Sequence, residues 1–132
     1  NFTLVEGDVE YDNDDTSGGQ EVLPGISNSA NFQAFYEDDD LSVKVTYSWR
    51  DSYLIGLGQA QGTTVDQPPQ YAREFGQWDI SINYDLSENV TVFFDGVNLN
   101  NETEYGYGRY EEQFLFARQY GTRYVLGGRL KF

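Results

Sequence analysis

The chain contains no cysteine and no histidine, and its eight basic residues face twenty-two acidic ones. Without cysteine there is no disulfide framework and no thiolate metal site. Without histidine the commonest general base and the commonest transition-metal ligand are missing. So few Lys and Arg leave no basic patch to neutralise phosphates, and no nucleic-acid partner is expected. No apolar run approaches the ~20 residues that a spanning helix needs. A barrel strand needs only every second residue apolar, so a hydrophilic average does not exclude one. No signal peptide is visible and the chain starts at Asn1, so it reads as a mature or excised C-terminal segment.

What the sequence has in abundance is alternation and aromatic rings. From Gln119 to Phe132, Tyr120, Thr122, Tyr124, Leu126, Gly128, Leu130 and Phe132 fall on one face; Arg123, Val125, Arg129 and Lys131 fall on the other. Period two means a β-strand, because successive side chains point to opposite sides of the pleat. An alternation this long is more than twice the usual ~5–6 residues and suits a membrane-spanning barrel. The aromatic content of 17%, with eleven Tyr, fits interfacial girdles.

The same reading along the chain gives six strands. The first runs from about Phe2 to Glu10 and the second from Ser27 to Tyr36. The third runs from Leu41 to Tyr53, with Leu41, Val43, Val45, Tyr47 and Trp49 on one face. The fourth centres on Trp78 to Asp85, the fifth is Val90 to Asn98 and the last is Gln119 to Phe132. Glu37–Asp40 and Ser87–Asn89 are short turns; 11–26, 56–75 and 99–118 are long loops. Alternating long and short connections are the rhythm of up-and-down barrels, whose long loops are extracellular. On that orientation Trp49, Tyr53 and Trp78 belong to an outer aromatic girdle, and Tyr36, Tyr84 and Phe132 to an inner one. A register sum of 129 between the third and fourth strands sets Lys44 against Asp85 and Arg50 against Asp79. It also sets Tyr47 against Ile82 and Trp49 against Ile80, satisfying charge and packing together.

Residues 1–43 hold eleven acids and no base. The run Asp8 to Asp15 lacks the Gly and closing Glu of a twelve-residue calcium loop and reads as a solvated loop. Scattered carboxylates give no paired catalytic geometry. No catalytic residue, metal site or cofactor is therefore assigned. The glycines around Leu57 and Tyr107 lack the strand-to-helix context of a phosphate loop. The loop 99–118 carries the ligand-binding candidates Tyr105, Tyr107, Arg109, Tyr110 and Phe114, since rings stack on sugars or aromatic chelators and Arg grips carboxylates. On the polar strand faces Lys44, Arg50, Asp79, Asp85, Asp95, Arg123 and Arg129 are expected to form a charge network in the barrel lumen.

The stretches Leu23–Asn31, Val43–Tyr47 with Trp49-Arg50, Phe93–Asn100, Tyr120–Tyr124 and Leu126–Phe132, in this order and spacing, resemble the C-terminal end of a TonB-dependent outer-membrane receptor. The resemblance covers about 23–132, with 1–22 as a strand plus an acidic extracellular loop. It implies an all-β, antiparallel up-and-down transmembrane segment of about six strands, the C-terminal part of a 22-stranded barrel. It also implies uptake of a scarce nutrient, of carbohydrate or iron-siderophore type, across a Gram-negative outer membrane. The implied partners are outer-membrane lipid, the barrel assembly machinery, upstream plug and barrel strands, and the TonB complex acting through an N-terminal part that this chain lacks. A terminal aromatic resembles the outer-membrane insertion signal, which gives Phe132 a role in assembly. Two alternatives use the same pattern: a soluble all-β carbohydrate-binding module, and a small self-contained outer-membrane barrel with strands hidden in 10–27 or 56–75.

Overall fold

The computed structural model describes residues 1–7, 11–12, 22–58 and 68–132. Among these the protein is all-β, with ten strands in two antiparallel sheets. The large sheet has the order β1-β2-β3-β6-β7-β10. It comprises β1 (Phe2–Val5), β2 (Ser29–Glu37), β3 (Leu41–Arg50), β6 (Phe75–Ser87), β7 (Val90–Val97) and β10 (Arg123–Leu130). The small sheet, β4-β5-β8-β9, comprises β4 (Tyr53–Gly56), β5 (Gln70–Ala72), β8 (Thr103–Tyr107) and β9 (Phe114–Gln119). It is built from the two long connections, β3 to β6 and β7 to β10, and therefore sits at one end of the large sheet. The opposite end carries tight turns, the first closed by Asp38 N–H donating to Leu41 O at 2.8 Å. The large sheet is open, with β1 and β10 as its edges, so it is not closed into a barrel.

Alternation places the two faces as the sequence predicts. Phe32, Val43, Val45, Tyr47, Trp78, Ile80, Ile82, Phe94 and Leu126 share one face through the observed pairings. That face is uncovered: Leu126 is 75% exposed, Tyr124 63% and Phe32 45%. The buried hydrophobic residues, Leu54 and Ala72, both belong to the small sheet.

The register between β3 and β6 corrects the sequence expectation. The partners sum to 125, not 129: Lys44 faces Ser81 rather than Asp85, and Arg50 faces Phe75 rather than Asp79. A slip of four keeps every side chain on its face, so facial pattern alone does not choose between the two. The observed register sets Val43 against Ile82, Val45 against Ile80 and Tyr47 against Trp78, the last pair with ring centroids 4.6 Å apart. Such an aromatic pair contributes about 0.5–1.5 kcal/mol beyond its burial, against about 0.2–1 kcal/mol for an exposed ion pair. Gly76 completes the fit, because the Tyr47 ring occupies the space a Cβ there would need.

Three strand boundaries also differ from expectation. The alternation from Leu41 to Tyr53 is interrupted at Asp51-Ser52, where Asp51 Oδ1 accepts the Ser52 N–H at 2.8 Å. This local bond replaces the ladder, and Tyr53 leaves the expected girdle for the small sheet. The last strand starts at Arg123 rather than Gln119, because Gly121 adopts φ 72°. The first is Phe2–Val5, and residues 8–10 lie outside the described set, as does most of the acidic run to Asp15. The expected loops 56–75 and 99–118 contain strands, β5 in one and the β8–β9 hairpin in the other.

Candidate functional site

The junction of the two sheets is organised by Asn98, at the end of β7. Its backbone takes φ 57°, a left-handed conformation that Asn tolerates better than most residues. Only 3% exposed, its side chain donates to Glu102 O (3.1 Å) and Gly121 O (3.2 Å) and accepts from Glu102 N–H (2.8 Å). Its own N–H donates to Asp79 Oδ1 at 2.9 Å, and its carbonyl accepts from Thr122 Oγ1 at 2.8 Å. One residue thus ties β6, the start of β8 and the entry to β10. Asn100 extends the clamp, donating to Gly76 O at 2.7 Å and accepting from Trp78 N–H at 3.1 Å.

Between the small sheet and the segment leading into β2 lies a polar cleft of ≈ 270 Å³. Tyr11, Tyr53, Tyr71 and Tyr107 supply rings, and Asp51 and Asn28 supply polar groups. Asn28 braces it: Oδ1 accepts the Gly7 N–H at 2.9 Å and its carbonyl accepts the Asp51 N–H at 2.9 Å. The β5–β8 pairing sets Tyr71 opposite Tyr107, and their rings stack with centroids 5.2 Å apart. Burial raises the Tyr107 phenol above its ordinary value, and the Glu111 carboxylate adds to this; a hydrogen bond with Ser52 and the Arg73 charge pull the other way. The phenol is therefore a neutral hydroxyl under physiological conditions.

Tyr53 also lines a second hollow, of ≈ 350 Å³, with Arg50, Arg73, Phe75 and Glu104. The Arg50 guanidinium sits 3.8 Å from the Tyr53 ring centroid. Its Nε donates to Ser27 Oγ at 3.0 Å, and it also donates to Gly25 O. Gly25 follows Pro24 with φ 88°, the conformation a type II turn demands at that position.

Of the five loop residues singled out from sequence, only Tyr107 lines the cleft. Tyr105, Tyr110 and Phe114 are exposed, Tyr110 at the hairpin tip and Phe114 at the start of β9, and Arg109 is half-buried. Sequence reasoning missed Tyr53, Tyr71, Asp51 and Asn28. The signal available was the Asp51-Ser52 pair, whose side chains compete with a strand ladder.

The polar-face charges divide. Lys44, Asp79, Asp95 and Arg123 line one hollow of ≈ 580 Å³ on the face opposite the apolar one. Among the described residues no ion pair joins them. Arg50 serves the second hollow, Asp85 accepts from Thr91 Oγ1, and Arg129 lies 5.2 Å from the Phe93 ring centroid. The register shift of four separates the two ion pairs expected between β3 and β6, Lys44 with Asp85 and Arg50 with Asp79. Phe132 lies beyond β10, fully exposed.

Among the described residues no group of three or more acidic side chains is placed to hold a metal ion. No protein-family model, curated protein or solved structure matches the chain.

Proposed function

We propose that this chain is a C-terminal barrel segment of a TonB-dependent receptor in a bacterial outer membrane, contributing to uptake of a small nutrient. The observation carrying the reading is the bare apolar face of the large sheet, set against a polar opposite face. A water-soluble sheet covers such a face with a second layer, and contiguous exposed patches mark lipid or protein contact. On β6 the apolar stripe runs from Trp78 to Leu86, within the ~9–11 residues that a transmembrane strand takes. Tyr47, Trp49 and Trp78 cluster at one end of the face and Tyr36 and Tyr84 at the other, as interfacial girdles do.

In this reading the small sheet is extracellular, and the tight turns are periplasmic. The open edges β1 and β10 take further strands of the receptor, because closed membrane barrels start at about eight strands. Lys44, Asp95 and Arg123 face the lumen, where plug contacts supply their partners. Lipid, the assembly machinery acting on Phe132, and the TonB complex remain the partners of the whole receptor.

Both tryptophans lie on the apolar face of the large sheet, so they report on it directly. The test is quenching of Trp49 and Trp78 fluorescence by brominated lipids in reconstituted vesicles. Strong quenching, greater from bromines near the headgroup than at the bilayer centre, is the expected result. A monodisperse, folded chain in plain buffer with unquenched tryptophans overturns the reading.

A further inference from the structure

We infer that the tyrosine-lined cleft beside the small sheet holds a single sugar ring and discriminates by charge, accepting neutral or amine-bearing rings and rejecting carboxylated ones. The inference deepens the receptor reading and rests on it for the ligand's role as an imported nutrient. Size points to one ring. A cleft of ≈ 270 Å³ lies just below the ~300–1,000 Å³ of sites that enclose drug-sized molecules, too small for a bulky metal chelate. Its chemistry is that of polyol recognition, with flat rings for the apolar face of a sugar and hydroxyl, amide and carboxylate groups for its hydroxyls.

The charge argument comes from who lines it. Asp51 is the one ionisable carboxylate among the described lining residues, and no base is among them. Asp51 Oδ1 accepts the Ser52 N–H at 2.8 Å. Two guanidiniums touch lining residues of the cleft, but neither lines it. Arg50 lines the second hollow, against the Tyr53 ring and the Gly25 and Ser27 oxygens. Arg73 bonds Glu111 O at 3.1 Å, lies 3.9 Å from the Glu111 carboxylate, and sits over the Tyr107 ring with its guanidinium 6.0 Å from the centroid. A carboxylated ring would therefore meet Asp51 with no base among the described lining residues to offset it, and an amine would find a partner there.

The test titrates the full chain, refolded in detergent micelles, with glucosamine, glucose and glucuronate, followed by ligand-observed NMR. These probes share one ring and differ in charge. Glucosamine is expected to bind at least about fivefold tighter than glucuronate, with glucose between. Asp51→Asn, which keeps the Oδ1 acceptor for Ser52, is expected to narrow that span to about twofold; Asp51→Glu is expected to preserve it. Glucuronate binding as tightly as glucosamine overturns the inference. So does an unchanged order in Asp51→Asn, or no binding of any of the three by a chain whose circular dichroism shows the sheet intact. The expected order measured on a chain that folds in plain buffer instead sinks the receptor reading and leaves the cleft assignment standing.

Discussion

The two sheets of this protein are stabilised in different ways. The large sheet is regular: β2, β3 and β6 pair through long unbroken registers, with an irregularity only beside the Glu88-Asn89 turn. Yet its apolar face buries little. The small sheet is irregular, with register shifts at Leu54/Gly56 and Gly106/Tyr107, and it contains the buried Leu54 and Ala72. Regularity and burial are therefore separate properties. The large sheet obtains its order from backbone pairing and cross-strand contacts. The small sheet obtains order from local packing and side-chain hydrogen bonds.

The sharpest way to break this comparison is at Asn98, which joins the two regions. Asn98→Ala removes three side-chain hydrogen bonds and leaves Glu102 N–H and the Glu102 and Gly121 carbonyls without those partners. These groups are part-buried, so each costs about 1 kcal/mol, the low end for an orphaned group, giving an expected loss of about 3 kcal/mol. The loss should fall on the small sheet first. Tryptic cleavage at Arg109 and Arg118 is expected to accelerate while Trp49 and Trp78 fluorescence stays unchanged. Asn98→Gly tolerates the left-handed φ, so its difference from Ala isolates the backbone share of the effect. Simultaneous loss of both signals would show that the sheets fold as one unit.

Leu126→Arg addresses the large sheet alone. At 75% exposure, the substitution should change stability in plain buffer by no more than about 0.5 kcal/mol. In a bilayer an Arg on the lipid face near the midplane costs about 2–4 kcal/mol. Urea unfolding in vesicles, compared with protease resistance in buffer, reads the difference. Equal small effects in both media would remove the apolar face from any lipid contact.

Paired glycines compare the two sheets at matched chemistry. A Cβ at Gly106 would overlap the Phe116 ring within the small sheet, and one at Gly127 would meet the far end of the Phe93 ring on the open polar face. Gly106 is buried, so Gly106→Ala forces its neighbours apart at a cost of about 1–3 kcal/mol. Gly127 is half-buried on the open polar face, so Gly127→Ala should cost less, under about 1 kcal/mol. Thermal unfolding of the two variants gives the order, and a reversed order would mean that the large sheet is the tighter of the two.

These contrasts explain what the sequence made legible. Facing follows from period two, so Val43, Val45, Ile80 and Ile82 could be placed on one face, and the six strands of the large sheet identified, without coordinates. Register resisted, because a shift of four preserves facing and the choice rests on Tyr47 meeting Trp78 over Gly76. Strand ends resisted for a related reason. Alternation of residue types runs straight through Ser52 and Gly121, although a side-chain bond and a positive φ turn the backbone there. The site was legible only at Tyr107. Its partners Tyr53, Tyr71 and Asp51 reach it through the long-range β5–β8 pairing and the exit from β3, which no local pattern records.

Alkaline pH separates the sheets by the smallest expected effect. Burial favours the neutral Tyr107 phenol, so its folded-state pKa lies above the ordinary 10.0. Between those two values the native state holds a proton that the unfolded chain has released, so stability falls as pH rises. Below about pH 10 both states are neutral and the contribution is fully present; it is lost as pH climbs through the folded value. Tyr107→Phe should cost under about 1.5 kcal/mol at neutral pH for the Ser52 hydrogen bond, and should flatten the alkaline slope of small-sheet stability. The readout is the tryptic cleavage rate at Arg109 between pH 8 and 11, normalised to an unstructured peptide carrying the same site. A wild-type slope that survives in Tyr107→Phe would assign the alkaline sensitivity to other tyrosines, and would free the Tyr71–Tyr107 stack from any part in holding the small sheet together.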